Sequence, residues 1–234
     1  MSTYALSDLH GQYDLYKQIK AFLKPEDKVY FLGDAGDRGP QCFRTIKAIA
    51  ADPQFVYMKG NHEDMLVRAM KSFYSDCPDP WDLTLLSYNG GHPTFDEWLE
   101  EEKPEIWIPY LEKLPTYLEY ESPNGFKVCL SHAGFTPGAA EEDRDYLWDR
   151  DHFSDEWDFS KFRDTYVIFG HTPTPTVDRE VVLGDGDDDF GVYWIPDTNK
   201  GMIDNGAFFT GKCCLLDLDT FESHIFEIEG FKSW

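Results

Sequence analysis

Five short apolar runs, each closing on a cluster of small and polar residues, constrain this chain more than any other feature. The fullest is Val29 to Pro40, VYFLGDAGDRGP. Val29 to Leu32 is rich in β-branched and aromatic residues and stops at glycine, so it reads as a buried strand. Gly33, Gly36 and Gly39 then interrupt Asp34, Asp37 and Arg38. The charges fall just beyond the strand's C-terminal end, where open α/β sheets bind ligands. Thr3 to Leu6 runs likewise into Ser7-Asp8-Leu9-His10-Gly11. In an extended segment Asp8 and His10 share a face while Leu9 turns inward. That is a chelating geometry, although a capping Asp before a helix accounts equally well for Asp8. Phe55 to Met58 meets Gly60-Asn61-His62-Glu63, Phe126 to Leu130 meets Ser131-His132-Ala133-Gly134, and Tyr166 to Phe169 meets Gly170-His171-Thr172-Pro173. One chemistry at five strand ends is hard to explain as packing and points to a site.

Helices fill the intervals. Leu15, Ile19, Phe22 and Leu23 make an apolar stripe at helical spacing that Pro25 ends, and Phe43, Ile46 and Ile49 make another that breaks near Asp52-Pro53. Residues 64–120 differ in character, with Trp81, Trp98, Trp107, several tyrosines and repeated prolines among acidic residues. This predicts a mostly helical insertion over one end of the sheet, contributing to a substrate groove, with its aromatics chiefly packing and a turn at Tyr88-Asn89-Gly90-Gly91. The C-terminal third predicts β-hairpins over Val181 to Leu183, Val192 to Ile195, Met202-Ile203, Cys213 to Leu216 and His224 to Ile228. Asp185 to Asp189 lacks the spaced glutamate of a calcium loop and reads as a solvated turn.

With 234 residues and 41% hydrophobic content, the chain is expected to form one domain, 1–234, around a sizeable core. Its 44 acidic residues against 21 basic ones leave a formal charge of -23. That balance argues against nucleic acid and anionic membrane surfaces as partners and suits a protein that holds divalent cations. Five cysteines without a framework spacing, and no basic-then-apolar N-terminus or membrane-length apolar run, make a reducing cytoplasm the expected location.

Collected together, the strand ends offer Asp8, His10, Asp34, Asn61, His132 and His171, with Asp37, Arg38 and His62 beside them. Oxygen and imidazole ligands without thiolate suit Mn, Fe, Zn or Co, and they suffice for two ions if one carboxylate bridges, Asp34 being the natural bridge because the strand Val29 to Leu32 is expected to be the central one. Two ions about 3.5–4 Å apart can polarise a phosphoryl group and acidify a shared water.

SDLHG, GDAGDRG, GNHE, SHAG and GHTP, in this order, resemble the motif series of the calcineurin-like metallophosphoesterases, in particular the phosphoprotein phosphatase branch with its bacterial and phage members. The resemblance runs from Ser7 to Pro173, with weaker echoes in YNGG, LWDR and the Met202 to Leu218 strands. It implies an α/β sandwich of two mixed β-sheets flanked by helices. It also implies two divalent metal ions, manganese first, with iron, zinc or cobalt as alternatives. Asp8, His10 and Asp34 would bind one ion, and Asp34, Asn61, His132 and His171 the other. His62 would be the general acid with Asp37 as its carboxylate partner. Arg38 and Arg150 would bind the phosphoryl oxygens, which a planar guanidinium fork suits.

The implied activity is hydrolysis of phosphate monoesters by direct attack of metal-bound hydroxide, on a phosphoprotein or a small phosphoester, of the Ser/Thr or dual-specificity type. Dinucleoside tetraphosphate hydrolysis is the enzymatic alternative, and a non-catalytic phosphate-binding scaffold is the alternative of another class. Asp37 favours the monoesterase, because the dinucleotide hydrolases often carry another residue there. Two positions depart from the family's pattern. Ser7 stands where glycine usually opens the first motif, a change expected to matter little, and Ala35-Gly36 replaces bulkier residues, which predicts enlarged space beside Asp34.

Overall fold

Alternation along the strands decides the architecture. The computed structural model describes residues 1–136, 144–151, 159–177 and 190–232. β1 (Thr3–Leu6), β2 (Lys28–Phe31) and β3 (Phe55–Tyr57) run parallel, joined by α1 (Tyr13–Phe22) and α2 (Cys42–Ala51). The helices α3 (Asn61–Phe73), α4 (Pro80–Tyr88), α5 (His92–Leu99) and α6 (Trp107–Glu112) follow. Next come β4 (Tyr117–Glu121), β5 (Lys127–Ser131), β6 (Thr165–Phe169), β7 (Tyr193–Trp194) and β8 (Lys200–Met202). The short α7 (Ala207–Thr210) leads into β9 (Lys212–Asp217) and β10 (Ser223–Glu227). One sheet has the order β10-β9-β1-β2-β3 and the other β4-β5-β6-β8-β7, each mixed in direction.

Neighbouring residues on a strand point to opposite faces, and here they enter different cores. Leu6, Phe31, Cys213 and Leu215 join the cluster under the helices, whereas Ala5, Leu32, Cys214 and Leu216 join a second cluster. Val128, Leu130 and Ile168 of the other sheet meet this second cluster, so it is the filling of the sandwich. Cys129, Val167 and Phe169 turn to a third cluster on the far side. The fold is thus two mixed β-sheets with flanking helices, as expected.

Four expectations change in detail. Tyr117–Glu121, placed in the helical insertion, is β4, an edge strand that pairs antiparallel with β5. β2 is not central in its sheet: β1 is, flanked by β2 and by the antiparallel β9. The C-terminal hairpins β7–β8 and β9–β10 are present, but β8 also pairs parallel with β6, which local sequence does not reveal. Phe22, predicted on the buried stripe of α1, is 43% exposed and packs against His224 and Phe226 of β10. Val181 to Leu183 and Asp185 to Asp189 lie outside the described residues. Among the described residues no helix is long and apolar enough to cross a membrane.

The five cysteines are unpaired, and only Cys77 is exposed. Burial raises the Cys42 and Cys214 thiols to about 12 and lifts Cys129 and Cys213 as well. A thiol reagent acts on the thiolate, so at neutral pH the folded protein should release one equivalent, and five in denaturant. Cys77→Ser should bring the native count to zero. A rapid second equivalent would contradict this packing.

Candidate metal centre

Parallel strands carry their C-terminal ends to one side of a sheet, and the loops leaving β1, β2, β3, β5 and β6 supply the predicted site residues. Those loops turn sharply at the functional residues themselves. Asp8, His10, Asp34, Asp37, Arg38 and His171 all have left-handed backbones, with φ of 54°, 44°, 60°, 66°, 64° and 66°. Such conformations cost on the order of 1–3 kcal/mol each and persist where the surroundings over-determine them. Glu63 is one such determinant. Its carboxylate accepts the backbone N–H groups of Asp34 (2.8 Å), Ala35 (2.9 Å) and Gly60 (2.8 Å), and the Tyr57 hydroxyl (2.8 Å). The close crossing of loops also explains Gly170, where a Cβ would lie 2.0 Å from Ser7 Oγ and 2.1 Å from Asp8 Oδ2.

Nine of the ten predicted residues converge. Asp8, His10, Asp34, Asp37, Asn61, His62, His132 and His171 are buried, and Arg38 reaches in among them. Two groups of ligand-type side chains share Asp34: His10, Asp34 and His62, and Asp8, Asp34 and His132, each with its ligand atoms within 4.8 Å of one another. Asp34 Oδ2 is 3.4 Å from His132 Nε2, 3.6 Å from His10 Nε2 and 3.8 Å from His62 Nε2. Beside them, His132 Nε2 and His171 Nδ1 lie 2.8 and 3.0 Å from Asn61 Oδ1. Asp8 Oδ1 also lies 3.8 Å from His10 Nε2, so Asp8 is near both sets, and His62 stands beside His10 and Asp34.

The donor set fits divalent ions. His10 and His132 each donate Nδ1–H to a backbone carbonyl, Gly36 and Leu32, both at 2.9 Å, so each presents Nε2 to the cluster as a lone pair. This is the arrangement that fixes a metal-ligating tautomer. Burial, with Asp8 and Glu63 nearby, pushes the Asp34 carboxyl well up, and burial pushes His10 and His132 down. Packed carboxylates and neutral imidazoles of this kind suit a cation that relieves the first and binds the second.

Beside the cluster sits a second arrangement. His62 Nδ1 donates to Asp37 Oδ2 at 2.5 Å, and the Asp37 carboxylate also accepts the Thr94 hydroxyl. Arg38 donates from Nη1 to His10 Nε2 at 3.0 Å and from Nη2 to His62 Nε2 at 2.8 Å. The insertion holds this pair in place: Gly90 O accepts the Arg38 N–H at 2.9 Å, and Thr94 Oγ1 accepts the Asp37 N–H at 2.8 Å. Arg150 is the exception among the ten. It is exposed and donates to Thr172 Oγ1 at 3.1 Å, at the rim next to His171.

At the first departure from the motif pattern, Ser7 makes a contact that glycine could not: its hydroxyl donates to Asp8 Oδ2, the oxygen that also accepts the His171 N–H at 3.0 Å. Ala35-Gly36 opens no space beside Asp34. Ala35 is fully buried, and a Cβ on Gly36 would come within 2.9 Å of Ile46 Cδ1. Sequence reasoning assigned no part in the site to Glu63, Thr94 and Phe208. The signal for Phe208 was present, since Met202-Ile203 runs into Asp204-Asn205-Gly206 in the manner of the other strand ends. Its ring lies 4.7 Å from Arg38 Cζ and 5.5 Å from the His10 ring.

Two oxygen and imidazole donor sets around one shared carboxylate, beside a guanidinium, define a centre suited to metal-dependent phosphoester chemistry. The chain belongs to the calcineurin-like phosphoesterase family, whose model matches residues 1–175. That family works with a divalent metal centre. Solved structures of similar fold include a candidate diadenosine tetraphosphatase, 17% identical, with a TM-score of 0.62 over 99% of this chain and 93% of that one. A metallophosphoesterase from Sphaerobacter thermophilus is 16% identical, with a TM-score of 0.59 over 98% and 89%. A protein serine/threonine phosphatase from Saccharomyces cerevisiae is 14% identical, with a TM-score of 0.52 over 99% and 81%. At these identities the likeness is one of fold.

Proposed function

We propose that this metallophosphoesterase hydrolyses phosphate monoesters and acts as a protein phosphatase of the Ser/Thr or dual-specificity type. The observation that carries the reading is the Asp37–His62 pair, joined at 2.5 Å with Arg38 against it. A monoester needs a proton for its leaving alkoxide and positive charge around the phosphoryl oxygens.

Asp8, His10, Asp34, Asn61, His132 and His171 would hold two divalent ions, manganese first. Bound there, the ions would polarise the phosphoryl group and acidify a water. The remaining steps belong to the chain. Arg38 binds phosphoryl oxygens through its Nη atoms, and Arg150 at the rim supplies a second cation. Asp37 fixes the His62 ring by accepting Nδ1–H, leaving Nε2 to carry the proton to the leaving group. Burial and Arg38 depress the imidazole, and burial raises the Asp37 carboxyl to about 7. An arriving phosphoryl dianion counters the arginine and favours the protonated ring. The substrate thereby charges its own acid.

The test is a substrate panel on chelator-stripped protein with Mn, Fe, Zn or Co restored separately. A chromogenic monoester and phosphoserine and phosphotyrosine peptides should be hydrolysed, with manganese restoring the most activity. Activity confined to a dinucleoside tetraphosphate, the substrate class suggested by one fold relative's description, would overturn the monoester assignment.

A further inference from the structure

We propose that Phe208 is a positioning residue for Arg38, its ring holding the guanidinium plane in the orientation that meets a phosphoryl group. The inference rests on the reading of Arg38 as the phosphate ligand. It concerns a residue beyond the 1–175 segment that the family model matches.

Four contacts orient the Arg38 side chain, and two of them are temporary. The Nη atoms donate to His10 Nε2 and His62 Nε2. In the proposed reaction these two lone pairs are committed elsewhere, the first to a cation and the second to a proton. What then remains is the Nε bond to Asn89 O, long at 3.4 Å, and the face of Phe208, 4.7 Å from Cζ. An aromatic face leaves every N–H of the guanidinium free for oxygen while opposing tilt of its plane. The Phe208 ring also meets the His10 ring edge-on at 5.5 Å, so it sits on the cluster side of the arginine.

The platform is itself fixed. Gly206 enters α7 with φ of 68°, and its N–H donates to Asp204 Oδ1 at 2.8 Å. Asn205 Nδ2 donates to Thr174 Oγ1 and to Gly191 O, both at 3.0 Å, and Thr174 N–H donates to Asp204 O at 2.8 Å. The turn carrying Phe208 is therefore tied to the loop that carries His171. Phe209 meets the Phe208 ring edge-on at 4.8 Å.

The experiment measures inorganic phosphate binding to manganese-loaded protein by calorimetry, with phosphate inhibition of monoester turnover alongside. Phe208→Leu keeps the site apolar and removes the ring. It should weaken phosphate binding about 2- to 30-fold, as expected for a cation–π contact, with metal content unchanged. Phe208→Tyr and Phe208→Trp should stay near wild type. Combining Phe208→Leu with Arg38→Ala should add nothing to Arg38→Ala alone. Ring-fluorinated phenylalanine at 208 preserves shape while weakening the face, and should give a graded loss; it keeps the test intact if leucine disturbs folding. Wild-type phosphate affinity in the fluorinated series, or additive effects in the double variant, would overturn the proposal. If Arg38→Ala itself leaves phosphate binding unchanged, the phosphate role of Arg38 fails, and with it the underlying reading.

Discussion

Replacing Asp34 with asparagine should remove both metal ions at concentrations that saturate the wild type and lower turnover by on the order of 10³-fold or more. Asp34 Oδ2 lies within 3.8 Å of three imidazole nitrogens and belongs to both ligand groups. Loss of an outer partner of a metal ligand costs about 10–100-fold in affinity, and loss of a shared ligand should cost more at both positions. The turnover estimate exceeds the roughly 10²–10³-fold loss from removing a single electrostatic donor, because the acidified water is lost too.

The same variant should be more thermostable than wild type once both are stripped of metal. Burial, Asp8 and Glu63 raise the Asp34 carboxyl in the folded protein, whereas an unfolded aspartate titrates near about 3.9. A raised folded pKa means that stability is full below the unfolded value and declines as pH climbs through the folded one. Asp37, raised to about 7, acts in the same direction. The depressed His10, His62 and His132 act in the opposite direction in both proteins, so the signature is the difference: the melting advantage of stripped Asp34→Asn over stripped wild type should grow as pH rises above about 4. Asparagine can still accept the His62 N–H that Asp34 Oδ1 accepts at 3.0 Å. Metal analysis together with melting curves across pH decides the matter: an Asp34→Asn protein that retains two ions rules out the bridging role.

Replacing His62 with asparagine should lower turnover about 10²–10⁴-fold, the usual contribution of a general acid. The loss should shrink for substrates with acidic leaving groups, since a nitrophenolate needs no proton while a serine alkoxide does. A purely structural histidine would cost both substrates equally. Because His62 Nε2 is also 3.8 Å from Asp34 Oδ2, metal content must be measured in parallel. Retained metal with a substrate-dependent loss identifies the acid, and lost metal with a uniform loss assigns His62 to the ligand set instead.

The site was more legible than the topology, for a physical reason. Asp8, His10, Asp34, Asn61, His132 and His171 each follow a short apolar run within a few residues, so local sequence carries both the strand and the polar turn that ends it. Strand pairing has no such local record. β9 is buried on both faces, with Cys213 and Leu215 under the helices and Cys214 and Leu216 between the sheets. Its sequence therefore says that it is interior and not which strand it meets. β8 reads as half of a hairpin because its partner β7 is close in sequence, while its parallel partner β6 is distant. The turn after Met202-Ile203 was legible in the same way, but Phe208 within it was not singled out, because an aromatic residue carries no chemical label and its contact with Arg38 is seen only in the fold.

The central place of β1 has a consequence for synthesis. Its outer edge pairs with β9 through Tyr4 opposite Asp217 and Ala5 opposite Leu216, residues translated roughly 10–40 seconds apart at ordinary elongation rates. Through that interval the strand that delivers Asp8 and His10 has one edge open, a template for any other extended chain. The loops that assemble the centre are made early, but the sheet that fixes them closes late. Metal capture by a nascent chain would precede the closure of its own scaffold, whereas the finished protein offers the ions a pocket already shaped.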